Sequence, residues 1–222
     1  MYKRQIQCRL NGAAGQSFGA FLSKGIELRL KGLANDYVAK SMSSGTISIR
    51  MSKAIRKRKK HNTLIGNVAL YGASGGELYI AGAAAERFAV RNSGAIAVVE
   101  GIGNHGCEYM SQGTVIILGR IGKNFGAGMT GGMAFIYDPE NVFLANVNPA
   151  TLEIRRVNEG HWQKQLREFV TRHARETDSA IAKRLLNNWT SEVNNFWHIV
   201  PTEILSVLSY PIAEAELSSQ TA

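Results

Sequence analysis

The sequence predicts a mainly β fold: a β-helix, or solenoid, of coils about 19 residues long, carrying an α-helical extension after it. Three observations lead there. Glycine is confined, since 22 of the 23 glycines stand at or before Gly132, while all four prolines (Pro139, Pro149, Pro201 and Pro211) come later. Short apolar runs recur at a fixed interval, starting at Gly94, Gly113 and Gly132, 19 residues apart, with Gly76 18 residues ahead of them. Beyond about residue 159 the apolar spacing changes from two to that of a helix.

The repeating unit is a glycine, a short strand, a glycine and a polar stretch. Gly76-Glu-Leu-Tyr-Ile-Ala-Gly82, Gly94-Ala-Ile-Ala-Val-Val-Glu-Gly101, Gly113-Thr-Val-Ile-Ile-Leu-Gly119 and Gly132-Met-Ala-Phe-Ile-Tyr137 are copies, and earlier ones begin at Gly25, Gly45 and Gly66. The second and fourth residues after each glycine are expected to point inward: Ile47 and Ile49, Val68 and Leu70, Leu78 and Ile80, Ile96 and Val98, Val115 and Ile117. Stacked coil on coil, they form aliphatic ladders, with glycine at the corners where the chain bends. The copy after Gly25 is out of phase (Ile26, Leu28, Leu30) and reads as a distorted or capping coil. The solenoid is expected over 1–137 and a linker over 138–158. A helical extension is expected over 159–210 and a frayed tail over 211–222. In the extension Leu166, Phe169, Val170 and His173 fall at helical spacing, and Thr177-Asp178 reads as the N-cap of a second helix bearing Ile181, Leu185, Leu186 and Trp189. Short helices are expected after Thr190 and Pro201, and the extension as a cap on an open solenoid end.

Composition narrows the function. The net charge is +9, yet Lys53, Arg56, Lys57, Arg58, Lys59 and Lys60 supply six of the positive charges in one stretch. That is one basic loop rather than a basic surface. It lacks interleaved aromatics or a second basic stripe, which argues against nucleic acid. No apolar run reaches the length of a membrane helix, and the start lacks a signal peptide's apolar core. Two cysteines, Cys8 and Cys107, make neither a disulfide framework nor a typical zinc or iron–sulfur site, so a cytoplasmic chain with free thiols is expected.

Each cluster with chemical potential has a plainer reading. Gly101-Ile-Gly103-Asn-His-Gly106 matches a dinucleotide fingerprint in letters, but a strand rather than a helix is expected soon after it. His105, Cys107 and Glu108 are close in sequence without a third orienting group, and a structural role for His105 and Glu108, bonded between coils, is the better reading. Asn35, Asp36, Tyr37, Glu86, Arg87, Arg91, Asn92 and Asn124 gather at the long-segment corners, where they suit internal hydrogen-bond ladders or a docking face. No catalytic, cofactor-binding or metal-binding residue is assigned.

Six segments in order carry a resemblance: Gly12-Ala-Ala-Gly15-Gln-Ser-Phe-Gly-Ala-Phe21, Ala34-Asn-Asp-Tyr-Val38, Gly66-Asn-Val-Ala-Leu-Tyr-Gly72, Glu86-Arg-Phe-Ala-Val-Arg-Asn-Ser-Gly94, His105-Gly-Cys-Glu-Tyr-Met110 and Asn124-Phe-Gly-Ala-Gly-Met129. Together they resemble the GXGXG domain at the C-terminal end of the glutamate synthase large subunit, and the helical tail is similar to that subunit's extension. The resemblance implies a right-handed β-helix that is non-catalytic alone. It would support the amidotransferase and FMN domains of an enzyme of nitrogen assimilation and glutamate biosynthesis. That oxidoreductase turns glutamine, 2-oxoglutarate and reductant into two L-glutamate. FMN and an iron–sulfur cluster are expected in the complete large subunit and no cofactor in this chain. The implied partners are the remaining large-subunit domains and the NADPH-linked small subunit.

The chain departs from the family pattern at several places. Ala39, Ser41, Ser44, Gln112 and Ala84 or Ala85 stand where glycines are usual, Asn104 where Asp is usual, and residues 51–62 are basic. Two alternatives stay open. One is a stand-alone β-helix subunit of another oxidoreductase, similar to the β-helix protein of formylmethanofuran dehydrogenase. The other is a binding module using the 53–60 loop on nucleic acid. The sequence also leaves open whether the chain is an enzyme, a fragment, a split-gene product or an independent subunit.

Overall fold

The computed structural model describes residues 5–51, 62–158 and 160–212. Each coil contributes one strand to a common sheet, built in the order β1(Ile6–Ala13), β2(Ile26–Leu33), β3(Thr46–Arg50), β5(Glu77–Ala81), β7(Ser93–Val99), β8(Gln112–Ile117) and β9(Met133–Tyr137), all parallel. A second, two-stranded sheet pairs β4(Thr63–Ile65) with β6(Ala83–Ala84). The result is a β-solenoid of about six turns, mainly β, with helices after it.

The ladders expected from the sequence exist. Leu28, Ile47, Leu78, Ala97, Val115 and Ala134 form one inward column, and Leu30, Ile49, Ile80, Val99, Ile117 and Ile136 the next. Burying such branched side chains stabilises by roughly 1.5–3 kcal/mol apiece relative to exposure. The columns also correct two expectations. Leu28 pairs with Ile47, so the coil after Gly25 is in register with the rest, and its glycine simply lies one residue further from the inward pair Leu28 and Leu30.

Conversely, Ile96 and Val98 do not point inward. Ser93 pairs with Gln112 and Ile96 with Thr114, so β7 holds one extra residue. Such a bulge turns every following side chain to the other face. Ala97 and Val99 therefore fill the core, while Val98 joins Tyr79, Ile116 and Phe135 on the outer face. The run after Gly66 is not a strand either. Gly66 lies partway round the coil that gives β3 to the large sheet and β4 to the small one, and Asn67–Tyr71 belongs to the wall of tight turns described below.

The extension begins with β10(Leu152–Arg156), inside the expected linker, and continues with α1(Gly160–Thr177), α2(Ala180–Asn187), α3(Trp189–Glu192) and β11(Phe196–Pro201). A 3-10 turn, Thr202–Val207, follows Pro201. The α1 side chains Leu166, Val170 and His173 are buried over the sheet's outer face, as their spacing predicts. The N-cap of α2 is Ser179, whose hydroxyl accepts from the Ala182 N–H at 3.1 Å, rather than Thr177-Asp178. Thr177 instead donates its hydroxyl to the His173 carbonyl at 2.6 Å, one turn back in α1. Contrary to the expected arrangement, the helices do not cap the solenoid end. β11 pairs antiparallel with β9, and β10 closes on β11, so strands finish the sheet while helices cover its flank. β11 escapes sequence reading because Phe196-Trp-His-Ile-Val-Pro201 is buried along nearly its whole length and shows no alternation.

Candidate docking face

Opposite the large sheet, each coil runs through a turn segment in which alternate residues adopt the left-handed conformation. The triplets are Ser17, Gly19 and Phe21; Tyr37, Ala39 and Ser41; Val68, Leu70 and Gly72; Arg87, Ala89 and Arg91; His105, Cys107 and Tyr109; Asn124, Gly126 and Gly128, all with φ between 53° and 71°. Non-glycine residues pay about 1–2 kcal/mol each for that conformation. Hydrogen bonds between coils hold them there. The N–H groups of Tyr37, Arg87 and His105, first in their triplets, reach forward to the carbonyls of Asn67, Asn104 and Lys123. Those of Ala39, Leu70, Ala89 and Cys107, at the centre, reach back to Phe18, Val38, Ala69 and Phe88. The third members, Ser41, Arg91 and Tyr109, reach forward again.

Side-chain direction follows from this geometry. Central members point into the core: Ala39, Leu70, Ala89 and Cys107 are fully buried. Burial pushes the Cys107 thiol pKa far up, so it is a core side chain and no nucleophile. Several first and third members lie at the surface. Tyr37 is 37% exposed, Tyr109 60% and Phe21 70%, and Arg87 and Arg91 are also exposed. Neither arginine side chain has a partner among the described residues.

The remaining corner residues knit coils together. Asp36 accepts from the Asn67 N–H at 2.7 Å, Asn67 from the Glu86 N–H at 3.1 Å, and Asn104 from the Lys123 N–H at 2.8 Å. Glu86 breaks the series and accepts from the Asn104 side-chain amide at 3.0 Å. The backbone of Asn35 bridges neighbouring coils, taking the Gly15 carbonyl and offering its own to Gly66. Asn92 is fully buried and clamps the β7 bulge, donating to the Ala95 carbonyl at 3.0 Å and accepting from the Ala95 N–H at 2.9 Å. Its amide character was legible in the sequence, but its role was not, because a bulge leaves no mark in the glycine spacing.

His105 and Glu108 do bond, at 2.7 Å, but within one coil rather than between coils. The inter-coil link is Asn124, whose amide donates to the same Glu108 oxygen at 2.9 Å. The Gly101–Gly106 run passes from strand to turn wall with no helix after it. A β-carbon at Gly103 would stand 3.1 Å from the Ala85 backbone, so that glycine serves coil stacking. The basic stretch Lys53–Lys60 lies outside the described residues. Among the described residues no group of three His, Cys, Asp or Glu side chains is placed to hold a metal ion, and no helix is long and apolar enough to cross a membrane.

One feature on the far flank had no sequence signal. A cleft of about 240 Å³ lies between the strand ends at Glu100, Leu118 and Ile136 and the α2 residues Ile181 and Arg184. Its polar groups are largely engaged already. Asp138 accepts from the N–H groups of Val142 and Phe143 and from Trp197 Nε1, all at 3.0 Å, and Arg184 donates to Glu192 at 2.7 Å.

Comparison with known proteins matches the family model described as the GXGXG motif to residues 1–202. The chain is 50% identical over 207 residues to the glutamate synthase [NADPH] large chain of Azospirillum brasilense, covering 93% of this chain and 14% of that protein. It is 45% identical over 211 residues to the glutamate synthase [NADH] of Schizosaccharomyces pombe, covering 95% of this chain and 10% of that one. It is 46% identical over 200 residues to the ferredoxin-dependent glutamate synthase of Pyropia yezoensis, covering 90% and 13% respectively. The chain thus spans between a tenth and a seventh of the length of these relatives.

Proposed function

The chain belongs to the GXGXG motif family, and from that premise we propose that it is the docking domain of a cytoplasmic glutamate synthase, non-catalytic by itself. One observation carries the reading: exposed tyrosines and arginines stand on a backbone locked by bonds from both neighbouring coils. Tyr37, Arg87, Arg91 and Tyr109 are side chains of the kind that anchor protein interfaces, and a rigid mount lowers the entropy lost when they are buried. His105, Glu108 and Asn124 form a polar cluster among them. The partners are the amidotransferase and flavin domains of the large chain, with the NADPH-linked small subunit beyond them.

In this reading glutamine, 2-oxoglutarate and reductant are converted to two L-glutamate elsewhere in the assembly. The chain's own thiols do not suit an iron–sulfur cluster, since Cys8 lies on β1 and Cys107 is sealed in the core several coils away. FMN and the cluster are therefore assigned to the other domains. Two measurements test the proposal. The purified chain titrated with FMN should show no stoichiometric flavin binding and release no glutamate; bound flavin would overturn it. In a complete large chain, Arg91→Glu with Tyr109→Ser in this region should lower glutamate formation at least tenfold while the melting temperature of the isolated solenoid stays within about 2 °C. Unchanged activity would rule out the turn wall as the docking face.

A further inference from the structure

The turn wall sorts its charges by sign. Its segments, 16–22, 36–42, 67–73, 86–92, 104–110 and 123–129, carry the carboxylates Asp36, Glu86 and Glu108 and the cations Lys40, Arg87, Arg91 and Lys123. Every one of those carboxylates is answered within the wall. Asp36 accepts from the Asn67 N–H and Glu86 from the Asn104 amide, while Glu108 holds both His105 and the Asn124 amide. The cations are not answered. Lys40 stands 5.4 Å from the centre of the Tyr37 ring, and none of the four meets a carboxylate among the described residues. The helical flank does the opposite: Arg172 lies 2.7 Å from Glu77, and Arg184 2.7 Å from Glu192.

Arg87 and Arg91 also stand where arginine is costly. Both are left-handed, at φ 58° and 55°, and the column that holds Arg91 carries Gly72 and Gly128 at other levels. Glycine takes that backbone without strain, so local stability does not account for an arginine there. The level beside it is open. A β-carbon at Gly72 would meet only the Ser41 hydroxyl oxygen, at 3.9 Å. Successive coils link Ser41 to Tyr71, Gly72 to Val90 and Arg91 to Glu108 through their backbones, so Ser41, Gly72 and Arg91 follow one another along one column. The result is a notch over Gly72, with a hydroxyl on one side and a free guanidinium on the other. Tyr109 follows Arg91 in the same column, and Arg87 stands across buried Ala89 on the same coil.

We infer that the wall receives an acidic segment of a partner polypeptide, with one carboxylate seated over Gly72 between Ser41 and Arg91 and a second against Arg87. The inference rests on the reading of the wall as the docking face and adds the chemistry of what docks there. A guanidinium takes a carboxylate through two parallel N–H bonds, so each arginine fixes the direction as well as the sign of its partner. The bonded Glu86 and Glu108 stay engaged with their own coils and do not compete. Complementary charge of this kind sets register, while Tyr37 and Tyr109 supply contact area. Nucleic acid fits worse, because the four cations are interspersed with carboxylates rather than gathered in a basic stripe.

The test compares this chain alone with a complete large chain that contains it. Phenylglyoxal, which modifies accessible guanidinium groups, should react with Arg87 and Arg91 at least tenfold more slowly in the complete chain, with N-acetylarginine as internal standard and mass spectrometry as readout. The sign of the partner is read separately. In a complete chain bearing Arg91→Lys, a water-soluble carbodiimide should couple the introduced amine to an aspartate or glutamate outside these 222 residues. Arg87→Lys carries the same test should the first variant not fold. Protection of both arginines with no such cross-link in either variant overturns the acidic partner and leaves the docking face standing. Full reactivity of Arg87 and Arg91 in the complete chain overturns both. Protection that disappears on nuclease treatment makes nucleic acid the occupant and likewise overturns the inference.

Discussion

The ring of Tyr109 fills the space in which a side chain at Gly128, one coil on, would stand: a β-carbon built there falls 2.6 Å from two of its ring carbons. Both residues are left-handed, with φ 53° and 66°. The stack thus accepts a large residue at one level only because the next level has none. Gly128→Ala should destabilise the protein by about 1–3 kcal/mol through backbone strain and overpacking together. Adding Tyr109→Ser should recover the steric part and leave a residual on the order of 1 kcal/mol. Urea unfolding midpoints at constant slope measure both.

Val68 is the one β-branched member of the left-handed triplets, at φ 60°. Branching at Cβ makes that conformation costlier than for its neighbours, while asparagine tolerates it. Val68→Asn, which places at 68 the residue type already present at Asn124 in the same column, should raise stability by roughly 0.5–1 kcal/mol. A lower unfolding midpoint than the parent would show that Val68 contributes more by packing than it costs in strain.

Asn92 holds the extra residue of β7 in place with its own amide. Asn92→Ala leaves the Ala95 N–H and carbonyl without their side-chain partner in a buried site, a loss on the order of 3 kcal/mol. Asn92→Asp keeps the acceptor but removes the donor and buries a charge, and should be no better. Chemical denaturation ranks the three proteins.

His198 on β11 is 1% exposed and stacks on Phe135 at 4.4 Å, and its Nε2 has no partner. Burial pushes its pKa down from 6.5 to about 3. A group whose folded pKa is depressed contributes stability above its unfolded pKa and loses it on acidification. The protein should therefore weaken between pH 6.5 and 3, with this residue supplying up to about 1.4 kcal/mol per pH unit. In His198→Phe that part of the slope disappears. The stability difference between the two proteins should stay constant above pH 7 and move in favour of the variant below 6.5. Parallel pH profiles would show that His198 stays neutral in both states.

The coil period and most of the inward columns were legible because the solenoid is a local, repeating problem. Each glycine-to-glycine interval repeats the last, so Leu78 and Ile80, or Val115 and Ile117, announce their own direction. Reading failed where one residue alters phase without altering composition. The bulge at Asn92 turned Val98 outward, and the extra residue after Gly25 made a regular coil look distorted. The candidate face was half visible. Arg87, Arg91 and Tyr37 stood out by type, but nothing in a one-dimensional pattern says that Cys107 points inward while His105 and Tyr109, on either side of it, lie toward the surface.

By itself, then, the sequence determined the solenoid, its 19-residue period, its aliphatic columns and the change to helices past residue 159, since all of these follow from spacing along the chain. Tertiary structure decided how the sheet is finished beyond β9. β11 and β10 reach the last coil from distant sequence, and their buried apolar runs carry no sign of the edge they will meet. It also decided the alternating left-handed wall, because that backbone is favourable only when neighbouring coils supply a hydrogen-bond partner above and below it. A strained conformation held by long-range bonds cannot be read from the residues that adopt it.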